Sequence, residues 1–231
     1  MKGFLAISAL LLLLYGNPAV AHYGTGVDAY NKGDYATAFK QWEPLAKKGV
    51  ADAQYNIGWM YDYGMGVKKY YKDAVKWYQL AADQGHPGSQ YKLALMYQKG
   101  KGVPRDYKVA FELYEKAVKQ GHVEAHYKLG NMYIDGKGVA RDYKVAMKWF
   151  RLAAEQGNSY ALSNLGHMYQ QGYGVIQDYR RAHMWLNISA SQGNKKAVVE
   201  RNMLELIMVP ADISKAHELA RECVEKGYRS C

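Results

Sequence analysis

The chain has 231 residues, 49% hydrophobic and 23% charged, with 31 Lys+Arg against 21 Asp+Glu for a formal net charge of +10. That balance excludes an acidic, hydrophobic-poor disordered chain, while 5 Pro and 2 Cys exclude a collagen-like chain and a disulfide-dense mini-scaffold. The unusual counts are 22 Tyr and 23 Gly, which point to residues recurring at fixed places.

The first segment reads as an address. Lys2 precedes Phe4 to Leu14, a run that is apolar apart from Ser8, and Asn17 and Pro18 break it. Ala19-Val20-Ala21 then supplies a small-x-small cleavage signal, so residues 1–21 are read as a secretory signal peptide. The run is too short to span a bilayer, and no later run approaches the ~18 apolar residues a spanning helix needs. Cleavage after Ala21 removes Lys2, leaving His22 as the N-terminus and a net charge of +9. The expected location is periplasmic or secreted, with no stable membrane insertion after cleavage.

From there the chain is periodic. Gly49, Gly85, Gly121, Gly157 and Gly193 are each 36 residues apart, as are Tyr61, Tyr97, Tyr133 and Tyr169. The pairs Gly64/Gly66, Gly100/Gly102, Gly136/Gly138 and Gly172/Gly174 keep the register, each followed by Val and then by Tyr71, Tyr107, Tyr143 or Tyr179. Four 36-residue repeats therefore span 49–192 (49–84, 85–120, 121–156 and 157–192). Residues 22–48 are a shortened N-terminal capping repeat: Tyr30, Gly33, Tyr35, Ala38 and Ala46 match the pattern, but the loop has lost five residues. Residues 193–231 are a degenerate C-terminal capping repeat in which Ile207 to Asp212 replaces the Gly-rich loop.

Each unit predicts two helices. Helix A, about 51–62 in the first full repeat, carries Ala53, Ile57, Met60 and Tyr61 as one apolar stripe of helical period. Gly-x-Gly ends it, and helix B follows over about 72–83 with Ala74, Trp77, Tyr78, Ala81 and Ala82 on its inner face. Asp106, Asp142 and Asp178 stand at N-cap positions of later helices B, where the first full repeat has Tyr70 instead. Gly58, Ala94, Gly130 and Gly166 form a column inside helix A. Gly there costs about 1 kcal/mol against Ala, a loss that close approach of helix B would offset. One hairpin cannot bury both faces, so the units must stack. The fold class is all-α: a right-handed α/α superhelix, or solenoid, of about twelve helices in helix-turn-helix repeats.

The pattern resembles the Sel-1-like repeat family, a branch of the tetratricopeptide-like superhelices. The resemblance rests on Ala125-His126-Tyr127-Lys128-Leu129-Gly130-Asn131-Met132-Tyr133, on Gly136-Lys137-Gly138-Val139, and on Asp142-Tyr143, Ala146, Trp149-Phe150 and Ala153-Ala154-Glu155-Gln156-Gly157. It covers 49–192 strongly and the flanks weakly, and it implies a non-enzymatic scaffold for protein–protein interaction. Secreted bacterial members are similar to adaptors of envelope assembly or host contact, and some cysteine-rich members bind penicillin-like ligands. Those members carry Cys in every repeat, unlike this chain. The rival reading, a protein that binds or hydrolyses a cell-wall fragment or β-lactam, is weakened accordingly.

Motifs for chemistry are missing. There is no Gly-x-Ser-x-Gly elbow, no phosphate loop and no His-Glu-x-x-His pair, and the Gly-x-Gly pairs read as turns. His122 and His126 are four apart and His86 shares the His122 column, but a polar surface position accounts for them; an N-terminal copper chelate at His22 is set aside in favour of a flexible tail. No catalytic residue, metal or cofactor is assigned. Cys223 and Cys231 are the only cysteines, and in an oxidising compartment their pairing would close a small loop, stabilising by roughly 2–3 kcal/mol in the entropy account.

In the superhelices the chain resembles, helix A lines the concave side. The stripe opposite its core face in the first full repeat is Tyr55, Asn56, Trp59 and Tyr63; the second offers Tyr91, Lys92, Leu95 and Lys99, and the third Tyr127, Lys128, Asn131 and Asp135. Aromatic side chains with neighbouring Lys are the composition of binding hot spots. Trp59 has no aromatic counterpart in the other repeats and is expected to face solvent. The expected partner surface is Tyr55, Trp59, Tyr63, Tyr91, Lys92 and Lys128. The expected partner is another protein, of the envelope or of a host. Export argues against nucleic acid, and the positive charge favours an acidic segment.

Overall fold

A computed structural model describes residues 18–229 and 231; of the expected signal peptide, residues 1–17 lie outside them. Among the described residues there are 12 helices and no strand, and 74% are helical, which is the all-α class of paired helices expected from the repeat. In chain order these are α1 (Pro18–Asn31), α2 (Tyr35–Lys47), α3 (Ala51–Tyr63), α4 (Tyr71–Asp83), α5 (Pro87–Lys99) and α6 (Tyr107–Lys119). Then follow α7 (Val123–Asp135), α8 (Tyr143–Glu155), α9 (Ser159–Gln171), α10 (Tyr179–Ser191), α11 (Lys195–Glu205) and α12 (Pro210–Glu225).

The helix ends follow the local chemistry. Asp142 Oδ1 accepts from the Val145 N–H at 3.0 Å, Asp178 from Arg180 and Arg181, and Asp106 from Lys108 and Val109. Tyr70 makes no side-chain cap bond for α4. Gly64 ends α3 in the left-handed region (φ 75°), where a residue with a Cβ is strained. Each loop is clipped by one backbone bond across nine residues: Tyr70 N–H to the Tyr61 carbonyl and Asp178 N–H to the Tyr169 carbonyl, both at 3.0 Å. α5 is capped differently. His86 Nδ1 accepts from the Ser89 N–H at 3.0 Å, while its Nε2 lies 3.2 Å from Asp52.

The chain divides into two compact units, residues up to Ala117 and from Val118 onward. In the first, Ala38, Trp42, Leu45, Ala53, Ile57 and Met60 form a buried core, and the Trp42 indole donates to the Tyr23 carbonyl at 3.2 Å. The column of small residues does what the sequence requires of it: a Cβ on Gly58 would lie 2.8 Å from the Tyr78 ring of α4. A second column works between hairpins. A Cβ on Gly66 would sit 2.5 Å from the Tyr35 carbonyl, and one on Gly102 would sit 2.5 Å from the Tyr71 carbonyl, each at the start of the preceding helix B. Buried amides add polar ties: Gln54 Nε2 donates to the Ala46 carbonyl at 3.1 Å and Gln90 Nε2 to the Ala82 carbonyl at 3.4 Å.

In the second unit the core runs from Ala146 and Phe150 through Leu162, Leu165, Trp185 and Leu186 to Ala220 and Cys223. Here a Cβ on Gly130 would meet Phe150 at 2.5 Å, and one on Gly166 would meet Leu186 at 2.7 Å. Cys223 of α12 is bonded to Cys231, with their Cα atoms 5.5 Å apart, so the tail folds back onto the last helix. His126 is buried and engaged, its Nδ1 3.1 Å from the His122 carbonyl and its ring 5.8 Å from Trp149.

Two outcomes follow from these contacts. Gly130→Ala gains helix propensity but drives a methyl into Phe150; thermal denaturation should show a net loss of about 1–3 kcal/mol, and a stabilised variant would contradict the close approach. Burial pushes the His86 imidazole below its ordinary range, with Asp52 opposing. The folded value lies below the unfolded one, so the contribution of His86 is present above pH ~6.5 and is lost as pH falls through the folded value. Protonation also removes the lone pair that caps α5. The protection of the Ser89 amide, relative to its intrinsic exchange rate, should therefore fall between pH 7 and 5, and His86→Asn, which keeps a cap acceptor, should flatten that dependence.

Candidate partner-binding site

The helix-A stripe of the first unit is a packed aromatic ladder. Trp59 is half-buried, its ring edge-on to Tyr30 at 5.5 Å and stacked on Tyr63 at 4.5 Å. The expectation of a solvent-facing Trp59 is thus met on one side only: Tyr30, on α1 of the shortened repeat, covers the other. Tyr63 is 47% exposed. Lys92 of α5 donates to its hydroxyl at 3.1 Å, with the ammonium 5.1 Å from the ring centroid.

Two open pockets flank this ladder. The first, about 320 Å³, is lined by Tyr23, Val27, Tyr30, Trp42, Tyr55, Asn56 and Trp59. Its walls are aromatic, and Asn56 Nδ2 donates to the Tyr23 hydroxyl at 3.1 Å across the rim. The second, about 230 Å³, is lined by Asp62, Tyr63, Lys69, Tyr71, Lys92, Leu95, Met96, Lys99 and Lys101. Four ammonium groups surround one carboxylate. Burial pushes the Asp62 carboxyl above the usual carboxylate range, and Lys92, Lys101, Lys69 and Lys99 pull it back. Lys101 donates to the Tyr71 hydroxyl at 3.4 Å. Among the described residues none of the four lysines has a carboxylate within 4.0 Å. The Trp59–Tyr63 stack joins the two pockets, so one face of this unit presents an aromatic cavity beside a positive one.

The structure brings Tyr55, Trp59, Tyr63 and Lys92 to this face. Tyr55 serves two ends: it lines the aromatic pocket, and its ring lies 5.9 Å from Tyr78 and 4.8 Å from His86. Tyr91 is half-buried against Tyr114 at 5.8 Å and lines neither pocket. Lys128 stands on α7 in the second unit, its ammonium 5.6 Å from the Tyr127 ring. The residues that the sequence did not assign to a partner surface include Tyr23, Tyr30 and Trp42, from the shortened repeat, and Asp62, Lys69 and Lys101, from the ends and loops of the full ones. A signal existed for the lysines, because Lys99 and Lys101 bracket the first Gly of a Gly-x-Gly turn. Their convergence with Lys69 needed the fold.

The Sel1 repeat profile matches residues 51–86, 87–122, 123–158, 159–194 and 203–228. Among solved structures, the chain is similar to a protective antigen present in uropathogenic Escherichia coli strains, which displays an SLR fold. Identity is 36% and the TM-score 0.78, over 91% of this chain and 46% of that one, so the chain spans less than half of that protein's length. It is also similar to a Sel1 repeat protein from Oxalobacter formigenes, at 32% identity and a TM-score of 0.77 over 90% of this chain and 83% of that one. An immunity protein from Pseudomonas aeruginosa shares the fold at 23% identity and a TM-score of 0.52, over 91% of this chain and 81% of that one. No curated protein matches the sequence. No helix among the described residues is long and apolar enough to cross a membrane.

Proposed function

This chain belongs to the Sel1 repeat family, whose members are generally non-catalytic scaffolds for protein–protein interaction, and from that premise we propose an adaptor of the bacterial cell envelope. The adaptor engages a segment of another protein that places an apolar or aromatic side chain in the pocket lined by Trp42, Tyr55 and Trp59. The acidic residues of that segment lie against Lys69, Lys92, Lys99 and Lys101. The observation that carries this reading is the adjacency of the two pockets through the Trp59–Tyr63 stack. Lys128 is retained as a separate positive contact of the second unit, and Tyr91 as a residue that holds its neighbours by packing on Tyr114.

Export is part of the proposal. It is supported by Lys2, by the apolar run Phe4–Leu14 and by Ala19-Val20-Ala21, and it agrees with the bond between Cys223 and Cys231, since such bonds persist in oxidising compartments. Expressed from Met1 in a bacterial host, the protein should be recovered outside the cytosol with His22 as its first residue. An intact Met1 on exclusively cytosolic protein would overturn this part.

The site is tested with a partner captured from envelope extract and then measured in purified form. Trp59→Ala should weaken binding about thirty-fold, the ~2 kcal/mol loss of an aromatic anchor. It should also lower the melting temperature, because Tyr30 and Tyr63 pack on that ring. Lys99→Ala, at an exposed position, separates the two effects: the fold should be unchanged, while association slows and loses part of its salt dependence. Unchanged affinity in both variants would mean that the partner uses another face.

A further inference from the structure

The second unit contains a polar cluster that the repeat does not require. His183 of α10 stands in a column that is Val75, Phe111 and Met147 in the other full repeats, and its side chain is fully buried. Placing an imidazole at an apolar position costs stability unless its nitrogens are engaged. Only one of them is. Nε2 lies 2.8 Å from Oε1 of Glu205, the last residue of α11, while Nδ1 is buried without a hydrogen-bond partner. The His217 ring on α12 lies 5.0 Å from the His183 ring at 83°, and ligand atoms of His183, Glu205 and His217 all fall within 4.8 Å of one another.

We propose that His183, Glu205 and His217 form a binding site for a divalent first-row transition metal, of which zinc is the representative. Two imidazoles and one carboxylate are a ligand set that zinc accepts, leaving a fourth tetrahedral position for water. The ligands come from three successive helices, so the ion would tie α10, α11 and α12 together. In the preceding repeat of the same unit the equivalent position is Met147.

Asn187 and Arg201 make outer contacts to the cluster. Asn187, one turn after His183 on α10, directs its amide nitrogen at His217 Nδ1 at 3.3 Å; for His217 to ligate through Nε2 its ring proton must sit on Nδ1, which the amide accepts only when turned to present Oδ1. Arg201 Nε lies 3.4 Å from Glu205 Oε1, while its Nη1 donates to Asn187 Oδ1 at 3.0 Å. Outer contacts of this kind orient ligating His and carboxylate groups. Arg201 Nη2 also donates to Asn202 Oδ1 at 2.8 Å.

The test is calorimetric titration of the untagged full-length protein with zinc chloride, with cobalt(II) absorption as the spectroscopic check. Wild type should bind one zinc that Glu205→Gln and His217→Ala each remove or weaken by more than ~100-fold, with Asn187→Ala in the ~10–100-fold range of an outer contact. Cobalt should give the visible bands of a tetrahedral site, lost in the same variants. Zinc should raise the melting temperature of wild type and leave both ligand variants where they are. Glu205 and His217 are only partly buried, so these variants keep the test open if His183→Ala fails to fold. His126→Ala should bind as wild type. No binding, or binding unchanged in Glu205→Gln and His217→Ala, would overturn the site and leave the cluster as a structural ion pair.

Discussion

Close approach of backbone to its neighbours at two glycine columns is the constraint on which the rest of the structure depends. Within a hairpin, Gly58, Gly130 and Gly166 leave no room for a methyl beside Tyr78, Phe150 and Leu186. Between hairpins, Gly66, Gly102 and Gly174 press on the first peptide of the preceding helix B at Tyr35, Tyr71 and Tyr143. The large side chains of helix B then pack directly on the helix A backbone, which matters because dispersion contacts are lost steeply with a gap of even 1 Å. The intrinsic helix penalty of glycine is small beside what the buried aromatic rings contribute.

The same geometry makes the candidate site. A tight hairpin brings the end of helix A and the following loop close to the next helix A, so Tyr63, Lys69, Lys92 and Lys101 meet although 38 positions separate the outermost of them. Where the loop is shortened, in the first hairpin, Tyr30 moves into contact with Trp59 instead of reproducing a full turn. The aromatic pocket is therefore a product of the irregular end of the array, and the lysine pocket a product of its regular part. Their union gives the face both an apolar and a charged component, which a uniform repeat would not have.

At the other end, the departure from the repeat has a different outcome. The last hairpin keeps its packing through Ala197, Leu204, Ala216 and Ala220 but loses the Gly-rich loop. α11 is shortened to 11 residues and α12 lengthened to 16. There Glu205 and His217 meet His183, which stands in a column that is apolar elsewhere. The disulfide to Cys231 closes the same helix from its far side.

The sequence by itself determined the repeat, the pairing of helices, the caps and the small-residue column, because each is written in a period of 36 or in the chemistry of a single residue. Asp142 caps because a carboxylate one residue before a helix meets free N–H groups, whatever lies around it. It also raised the pairing of Cys223 with Cys231, which the fold-back of the tail onto the last helix realises. The tertiary structure alone decided how far Trp59 is buried, because Tyr30 comes from a hairpin whose loop breaks the register. It also decided which of many lysines share a pocket and that His183 meets Glu205 and His217. These are meetings between side chains from different helices, fixed by interhelical distance and rotation, and a periodic pattern records the position of a residue along a helix but not what the neighbouring helix brings to it.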